Sequence, residues 1–285
     1  MGKAAMLYFL LFIIFTAGCS KTDVSKNITE QQGILAKIQN MQGYVRVIGP
    51  EEYELYKEMV LQEEGNLSGS RLEEETREYA ERINALFYLG NRLDLYEAYS
   101  LEVLKLRMEE ENEKRRIKLE KNEPVYGLQQ FEIRSFLQYE MTNLERDIKD
   151  HILSQITREE LGDKPKQFYQ DHEEEFRLLK SVTYQLTMEE ETRTITADRM
   201  NLRSMRNADM ALVDFINEAK VGDVYEEPRV DGEGVFRTVK IVDLEYEPMG
   251  YEANRENAII AYVETVLFEE LLEMVADNNP PEYAE

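Results

Sequence analysis

The chain has 285 residues, with 58 Asp and Glu against 34 Lys and Arg, a formal net charge of −24 and a single cysteine. Acidity on this scale excludes nucleic acid and anionic lipid headgroups as general partners, because both are repelled by the surface as a whole. One cysteine excludes an internal disulfide, so packing has to hold the fold together. The acidic surplus is either a solvated surface that keeps the protein soluble or an attraction for basic, partly unfolded polypeptides, and composition does not choose between these.

At the N-terminus Lys3 precedes an apolar run from Ala4 to Phe15, followed by Thr16, Ala17, Gly18 and Cys19. A positive start, a short apolar core and a small-residue exit predict a secretory signal peptide over 1–18. The run is too short to cross ~30 Å of hydrocarbon as a helix. Small residues leading straight into a cysteine resemble the bacterial lipobox, with Thr16 where a large aliphatic residue is usual. That resemblance implies cleavage before Cys19, lipidation of Cys19 and anchoring to a membrane of the bacterial cell envelope, on the periplasmic side or at the cell surface. A plain signal with a chance cysteine is the alternative. Lipid on Cys19 leaves no thiolate for nucleophilic catalysis or metal binding. Residues 19–30 are polar and read as a flexible tether.

Apolar residues recur from Ile34 to Ile48, punctuated by Gly43 and by Gly49-Pro50. Tyr53, Tyr56, Met59 and Val60 share a stripe that predicts a helix over 51–63. After a loop at 65–69, Ser70 and Glu73 form a capping-box pattern. One long helix is predicted from Leu72 to about Glu123, with Gly90 as its sole interruption and a charged, solvent-exposed end from Met108 to Lys121. Leu137, Met141, Leu144, Ile148 and Ile152 give a buried stripe to a second helix over 131–155. Thr157 and Glu160 repeat the capping-box pattern ahead of a short helix that ends at Phe168-Tyr169.

The period then changes. Val182, Tyr184, Leu186 and Met188 alternate with Thr183, Gln185 and Thr187, which predicts a half-buried strand. Ala197 to Lys220 reads as helical, Val235 to Leu244 as a second strand, and 252–276 as an amphipathic helix burying Ile259, Val263, Val266, Leu267, Leu271 and Met274. The tail from Asn278 to Glu285 is expected to fray. Two strands make no stable sheet alone, so the last helix is expected to pack back on the first ones. The predicted fold is mainly α with a small α+β insert: a helical domain at 31–178, a β-α-β unit at 179–247 and a closing C-terminal segment at 248–285.

Three segments within 130–275 carry a family resemblance. They are Ile156-Thr157-Arg158-Glu159-Glu160 leading to Phe168-Tyr169 and Glu174-Glu175-Phe176; Ser181 to Leu186; and Ala219 to Val224 followed by Gly234 to Ile241. In turn they resemble the lead-in helix, the opening strand, and the turn with closing strand of parvulin-like peptidyl-prolyl isomerases, specifically the extracytoplasmic foldases of the SurA and PrsA type. The resemblance implies helical arms that cradle unfolded or partly folded exported polypeptides around a truncated isomerase unit.

The departures bear on chemistry. Active parvulins carry a histidine in each of these strands and a cysteine or aspartate between them. Here Tyr184 and Gln185 stand in the opening strand, Phe236 and Arg237 in the closing one, and about 45 residues separate the strands, too few for the family's full set of elements. His151 and His172 fall on the preceding helices. Prolyl rotation faces a barrier of ~18–20 kcal/mol, which a pocket lowers by placing polar groups around the twisting imide. The resemblance therefore implies a degenerate unit with no catalytic residue, no metal and no cofactor. An active isomerase with a remodelled site is one alternative; a non-chaperone scaffold lipoprotein whose charged helix 72–121 pairs with a partner helix is another. Tyr53, Tyr56, Phe87, Tyr88, Tyr96 and Tyr99 are either core or the lining of a client groove. The Glu109–Glu111, Glu173–Glu175 and Glu189–Glu191 runs read as solvated helix ends or weak cation sites, since consecutive helical carboxylates point apart.

Overall fold

The computed structural model describes residues 33–188, 191–228 and 235–284, so the signal peptide, Cys19 and the tether lie outside the described residues. The first elements are α1 (Ile34–Gln39), β1 (Val47–Ile48) and α2 (Pro50–Glu64). Pro50 opens α2 at a position whose N–H would have no helical partner in any case.

The single long helix expected over 72–123 is two: α3 (Gly69–Arg92) and α4 (Leu101–Glu120). Asp94 turns the chain with a φ of 59°. The carbonyl of Gly90 accepts from both Leu95 and Tyr96, at 2.9 and 3.2 Å. Ser100 then starts α4 by accepting from the Val103 N–H at 3.2 Å. Gly90 itself remains helical and has a different purpose: an added Cβ would stand 2.7 Å from a Leu144 methyl. The Ser70–Glu73 capping box is also corrected, because α3 begins at Gly69 and Ser70 already lies within its first turn.

Next come α5 (Ile133–Gln155), α6 (Arg158–Leu161), α7 (Lys164–Asp171) and a 3₁₀ turn at Glu173–Phe176. The expected stripe on α5 is buried at Leu137, Leu144, Ile148 and Ile152. The Thr157–Glu160 capping box forms in both directions, and Glu160 also accepts from the Leu35 N–H at 3.0 Å, tying α6 to α1.

The insert holds β2 (Leu178–Met188), β3 (Glu191–Asp198), α8 (Arg199–Met205), α9 (Met210–Glu218), β4 (Val224–Pro228) and β5 (Val235–Glu247). Its strands form one antiparallel sheet in the order β3-β2-β5-β4. The two expected strands are thus central neighbours. The stretch between them, expected to be too short for many elements, holds two helices and two edge strands. The helix expected over 197–220 is interrupted because Asp198 and Asp209 each cap a new start, accepting from Asn201 N at 2.8 Å and Leu212 N at 3.2 Å.

The closing helix runs as α10 (Tyr251–Tyr262), a π turn at Val263–Leu267 and α11 (Phe268–Asn278). Its apolar side joins α1, α3 and α5 in one buried cluster, while Val182, Tyr184, Leu202, Leu212, Ile216, Val239 and Ile241 form a second inside the insert. The fold is mainly α with a small α+β insert, and helices from both chain ends pack together. Among the described residues no helix is long and apolar enough to cross a membrane.

The tail does not fray. β6 (Glu282–Tyr283) pairs in parallel with β1, and Asn279 is 1% exposed. Asn279 Nδ2 donates to Met41 O at 3.2 Å and Val275 O at 2.9 Å, while its Oδ1 accepts from Tyr44 N at 3.1 Å. Its carbonyl accepts from Asn84 Nδ2 at 3.0 Å. Asn279→Ala removes three of these bonds and strands buried backbone groups, at about 1 kcal/mol or more for each. The expected outcome is a loss of about 3 kcal/mol, seen as a lower urea midpoint with an unchanged slope.

Candidate functional site

The resemblance directs attention to the middle of the sheet. Register decides what its four positions can do together. Tyr184 lies opposite Ile241, and Met188 opposite Arg237. Tyr184 and Arg237 are therefore separated by four ladder steps, roughly 13 Å at 3.3 Å per residue. Side chains alternate along each strand, so Tyr184 and Arg237 face α8 and α9, whereas Gln185 and Phe236 face the open side. Tyr184 is 3% exposed and belongs to the core; Gln185 is exposed and Phe236 is 50% exposed. Burial is the first cause that raises the Tyr184 hydroxyl pKa, and the nearby Arg237 charge opposes it.

Arg237 is the charged member of this set, and it is occupied. Its guanidinium pairs with Asp209 and with Glu227. Asp209 is also the cap of α9, so one carboxylate accepts from both the Leu212 N–H and Arg237. The hydrogen bond from Arg237 holds the Asp209 carboxyl below its ordinary range, and the same bond raises Arg237. Two carboxylates thus neutralise this guanidinium, although its Nε makes no hydrogen bond of acceptable geometry. The open face carries threonine pairs instead: Thr183 with Thr196 and Thr187 with Thr192, each at 3.0 Å. His151 and His172 stay on α5 and beyond α7, where His172 stacks on Phe168 at 4.2 Å.

The helical part offers different surfaces. Most of the aromatic series is core: Tyr56, Phe87, Tyr88 and Tyr99 are buried, and Tyr53 and Tyr96 half-buried against them. Phe87 stacks on Tyr99 at 3.9 Å and meets Tyr96 at 4.8 Å. Around Tyr99 lies a buried polar knot that periodicity could not announce. Arg46 pairs with Glu52, the Tyr56 hydroxyl donates to the same carboxylate, and the Tyr56 and Tyr99 hydroxyls lie 3.1 Å apart. Burial raises the pKa of both tyrosines.

Exposed apolar residues collect at the far end of the α4–α5 hairpin. Arg115, buried beside Glu111 and over the Phe131 ring, donates to the carbonyls of Tyr126 at 2.9 Å and Leu128 at 2.6 Å. Asn112 clamps both backbone groups of Phe131. This pinning presents Tyr126 at 85% and Leu128 at 52% exposure, with Ile117 and Leu119 exposed on the adjoining helix. A second groove of about 460 Å³ lies where the insert leaves the helices, between Phe176, Leu178, Ile260 and Ala261. Apolar side chains exposed on a pinned backbone within a strongly acidic surface have the chemistry to receive extended, apolar or basic polypeptide segments.

No protein-family profile matches the chain. No curated protein matches it. Among solved structures, 82% of the chain aligns with 94% of a chain from a study of PEB4 and Cj1289, described as two structurally related SurA-like chaperones of Campylobacter jejuni. The identity is 13% and the TM-score 0.32. A TM-score of this size decides neither fold nor role.

Two site features had usable sequence signals. Asp209 stands directly before an apolar run, a standard start for a helix, and Tyr126 and Leu128 follow a Pro-containing break. Arg46 and Glu52 had none. The Arg237–Asp209 pair yields a pH prediction. Because the folded Asp209 pKa is depressed, its stabilisation is present above the unfolded value of about 3.9 and is lost as pH falls through the folded value. Arg237→Gln is expected to move the Asp209 titration upward toward the ordinary range and to destabilise the insert by about 2 kcal/mol. Carboxyl NMR titration and acid unfolding monitored on the sheet check both.

Proposed function

We propose that the chain is a lipid-anchored chaperone for exported polypeptides in the bacterial cell envelope, and that its insert at 179–247 is a parvulin-like unit that no longer catalyses prolyl isomerisation. What supports the kinship is the direct pairing of β2 with β5, carried between helices from both chain ends. What supports the client role is the pinned apolar tip at Tyr126 and Leu128 on a chain of net charge −24. What supports the loss of catalysis is the residue set. Tyr184 is core, Gln185 and Phe236 are on the opposite face, and Arg237 is held by two carboxylates. The anchor rests on the lipobox-like sequence at Cys19.

The soluble 20–285 fragment is expected to suppress aggregation of a denatured envelope protein at a few-fold molar excess. Tyr126→Ser with Leu128→Ser is expected to cut that suppression severalfold without lowering the melting temperature. Absence of suppression by the parent fragment removes the chaperone reading. In a proline-limited refolding reaction the same fragment is expected to leave the slow phase at its uncatalysed rate of tens of seconds or longer; clear acceleration favours the remodelled isomerase.

Leu106, Ile117 and Leu119 are exposed along α4, and they favour a second reading in which α4 docks a helix of a fixed envelope partner. A stoichiometric complex that survives the Tyr126/Leu128 double change distinguishes that scaffold from a chaperone. For the anchor, Cys19→Ser is expected to move the protein from the membrane fraction to the soluble envelope fraction and to abolish labelling by a fatty-acid analogue. Retention and labelling of the variant refute lipidation at this residue.

A further inference from the structure

A small cavity lies in the helical core where the segment before β1, helix α3 and the turn before α4 meet. It measures about 40 Å³, and Tyr44, Arg46, Asn84, Phe87, Tyr88 and Tyr99 line most of it. Arg46 is 8% exposed and Asn84 1%. Each contributes one buried polar atom that no protein group satisfies, Arg46 Nη1 and Asn84 Oδ1. Native chains satisfy nearly all such atoms, and each one left alone costs about 1–3 kcal/mol.

The polarity of these two atoms is fixed. Asn84 Nδ2 donates to the Asn279 carbonyl at 3.0 Å. Turning the amide over would set oxygen against oxygen, so the unsatisfied atom is an acceptor. Arg46 Nη2 is committed to Glu52, which leaves Nη1 as a charged donor. The site therefore needs a group that accepts on one side and donates on the other. A carboxylate satisfies Arg46 but sets a charged oxygen against Asn84 Oδ1. An ammonium satisfies Asn84 and is repelled by Arg46. Hydrocarbon satisfies neither. Water both donates and accepts, and about three waters fill the same volume, so ordered water is the competing occupant that the test excludes. A planar amide supplies a carbonyl for Arg46 and an N–H for Asn84 within one rigid unit.

Size and walls agree with that choice. At 10–15 Å³ for each water-sized probe, the cavity takes roughly three, the heavy-atom count of a carboxamide. Two aromatic stacks, Phe87 on Tyr99 at 3.9 Å and Tyr44 on Tyr88 at 4.7 Å, give it flat apolar sides. We infer that this cavity is a binding site for a peptide amide, held between Arg46 Nη1 and Asn84 Oδ1. The amide is either the side-chain carboxamide of an Asn or Gln or a main-chain peptide group. The origin of that amide in a client chain rests on the proposed chaperone role; the site itself does not. Because Asn84 and Tyr44 both bond Asn279, an occupant also braces the junction of the two chain ends.

The test titrates the ¹⁵N-labelled full-length chain, in a nonionic detergent, with acetamide, N-methylacetamide, acetate and methylammonium. Acetamide is expected to give saturable shifts at the Asn84 side-chain amide and at the Tyr44 and Arg46 backbone, with a midpoint in the millimolar range, as suits about four heavy atoms. The melting temperature should rise in parallel. A response to acetamide alone assigns the site to side-chain carboxamides; a response to both amides assigns it to main-chain groups. Ala98→Leu, at an exposed position on the lining, is expected to keep the melting temperature and weaken the shifts at least fivefold. The inference is overturned by no saturable response to either amide, by an equal response to acetate, by unchanged binding in A98L, or by crystals at saturating acetamide that hold ordered water only. Loss of this binding leaves the aggregation assay standing, and failure of that assay leaves this titration standing.

Discussion

The molecule is closed by the contact of its two ends at Asn279. The insert divides the helical part in sequence, so one core has to be assembled from segments more than 200 residues apart, as the Tyr44–Asn279 bond across 235 positions illustrates. The entropy of closing such a loop grows only as the logarithm of its length, about 0.6 kcal/mol for each doubling. Lengthening the loop by an insert is therefore a small charge against the apolar surface that α10 and α11 bury. What burial cannot supply is register, since it has no direction. The three side-chain bonds of Asn279, the Asn84 bond to its carbonyl and the β1–β6 pair supply it, fixing the last helix along α3 and α1.

The insert follows a different logic. It has its own buried cluster, and four antiparallel strands with helices on one face leave the other face to water. The threonine pairs suit that solvated face. Its attachment to the helices is narrow: the Tyr169 hydroxyl donates to the Met249 carbonyl, and Asn254 Nδ2 bonds Phe176 O at 3.1 Å. These polar bonds tie down the chain just before β2 and just after β5, and the two cores stay separate. A unit packed in this way keeps its own core, to which Tyr184 contributes, separate from that of the helices.

Period was the legible part of the sequence. The four-three-four spacing of α5 and the alternation of β2 each name one face. Leu137, Leu144, Ile148 and Ile152 are buried on the first and Val182 and Tyr184 on the second, while Met141 and Leu186 are half-buried and Met188 at the strand end is exposed. Local breaks were harder to see. Leucines continue at helical intervals from Leu86 to Leu106, so the pattern ran across a turn that a single left-handed Asp94 and the Ser100 cap create. The β3 strand carried a signal in the alternation of Thr192, Thr194 and Thr196, but its polar face lacks the apolar contrast that marks β2. The tail gave no signal at all. Asn279 looks like any loop asparagine until Met41, Tyr44 and Val275 surround it, and those contacts exist only in three dimensions. Arg46 with Glu52 is the same case: a charge six residues before another becomes a buried pair only because Tyr56 and Tyr99 close over it.

The acidic surplus connects these observations to function. With carboxylates in excess, guanidinium groups drawn into protected positions find partners: Arg237 between Asp209 and Glu227, Arg115 against Glu111, Arg46 on Glu52. Pairing offsets much of the cost of burying a guanidinium, although Arg46 Nη1 and Arg237 Nε have no hydrogen-bond partner among the described protein groups. Pairing that makes such an arginine structurally tolerable also neutralises its charge toward other groups, as the two carboxylates do for Arg237. Under the proposed client role, recognition of a polypeptide by this surface would draw on apolar side chains exposed at loops and on the one kind of polar group that peptides always carry. Tyr126 and Leu128 provide the first. The unsatisfied edges of Arg46 and Asn84, opposite in polarity and set among stacked rings, fit the second, because an amide is neutral and so enters a protein of net charge −24 without electrostatic penalty.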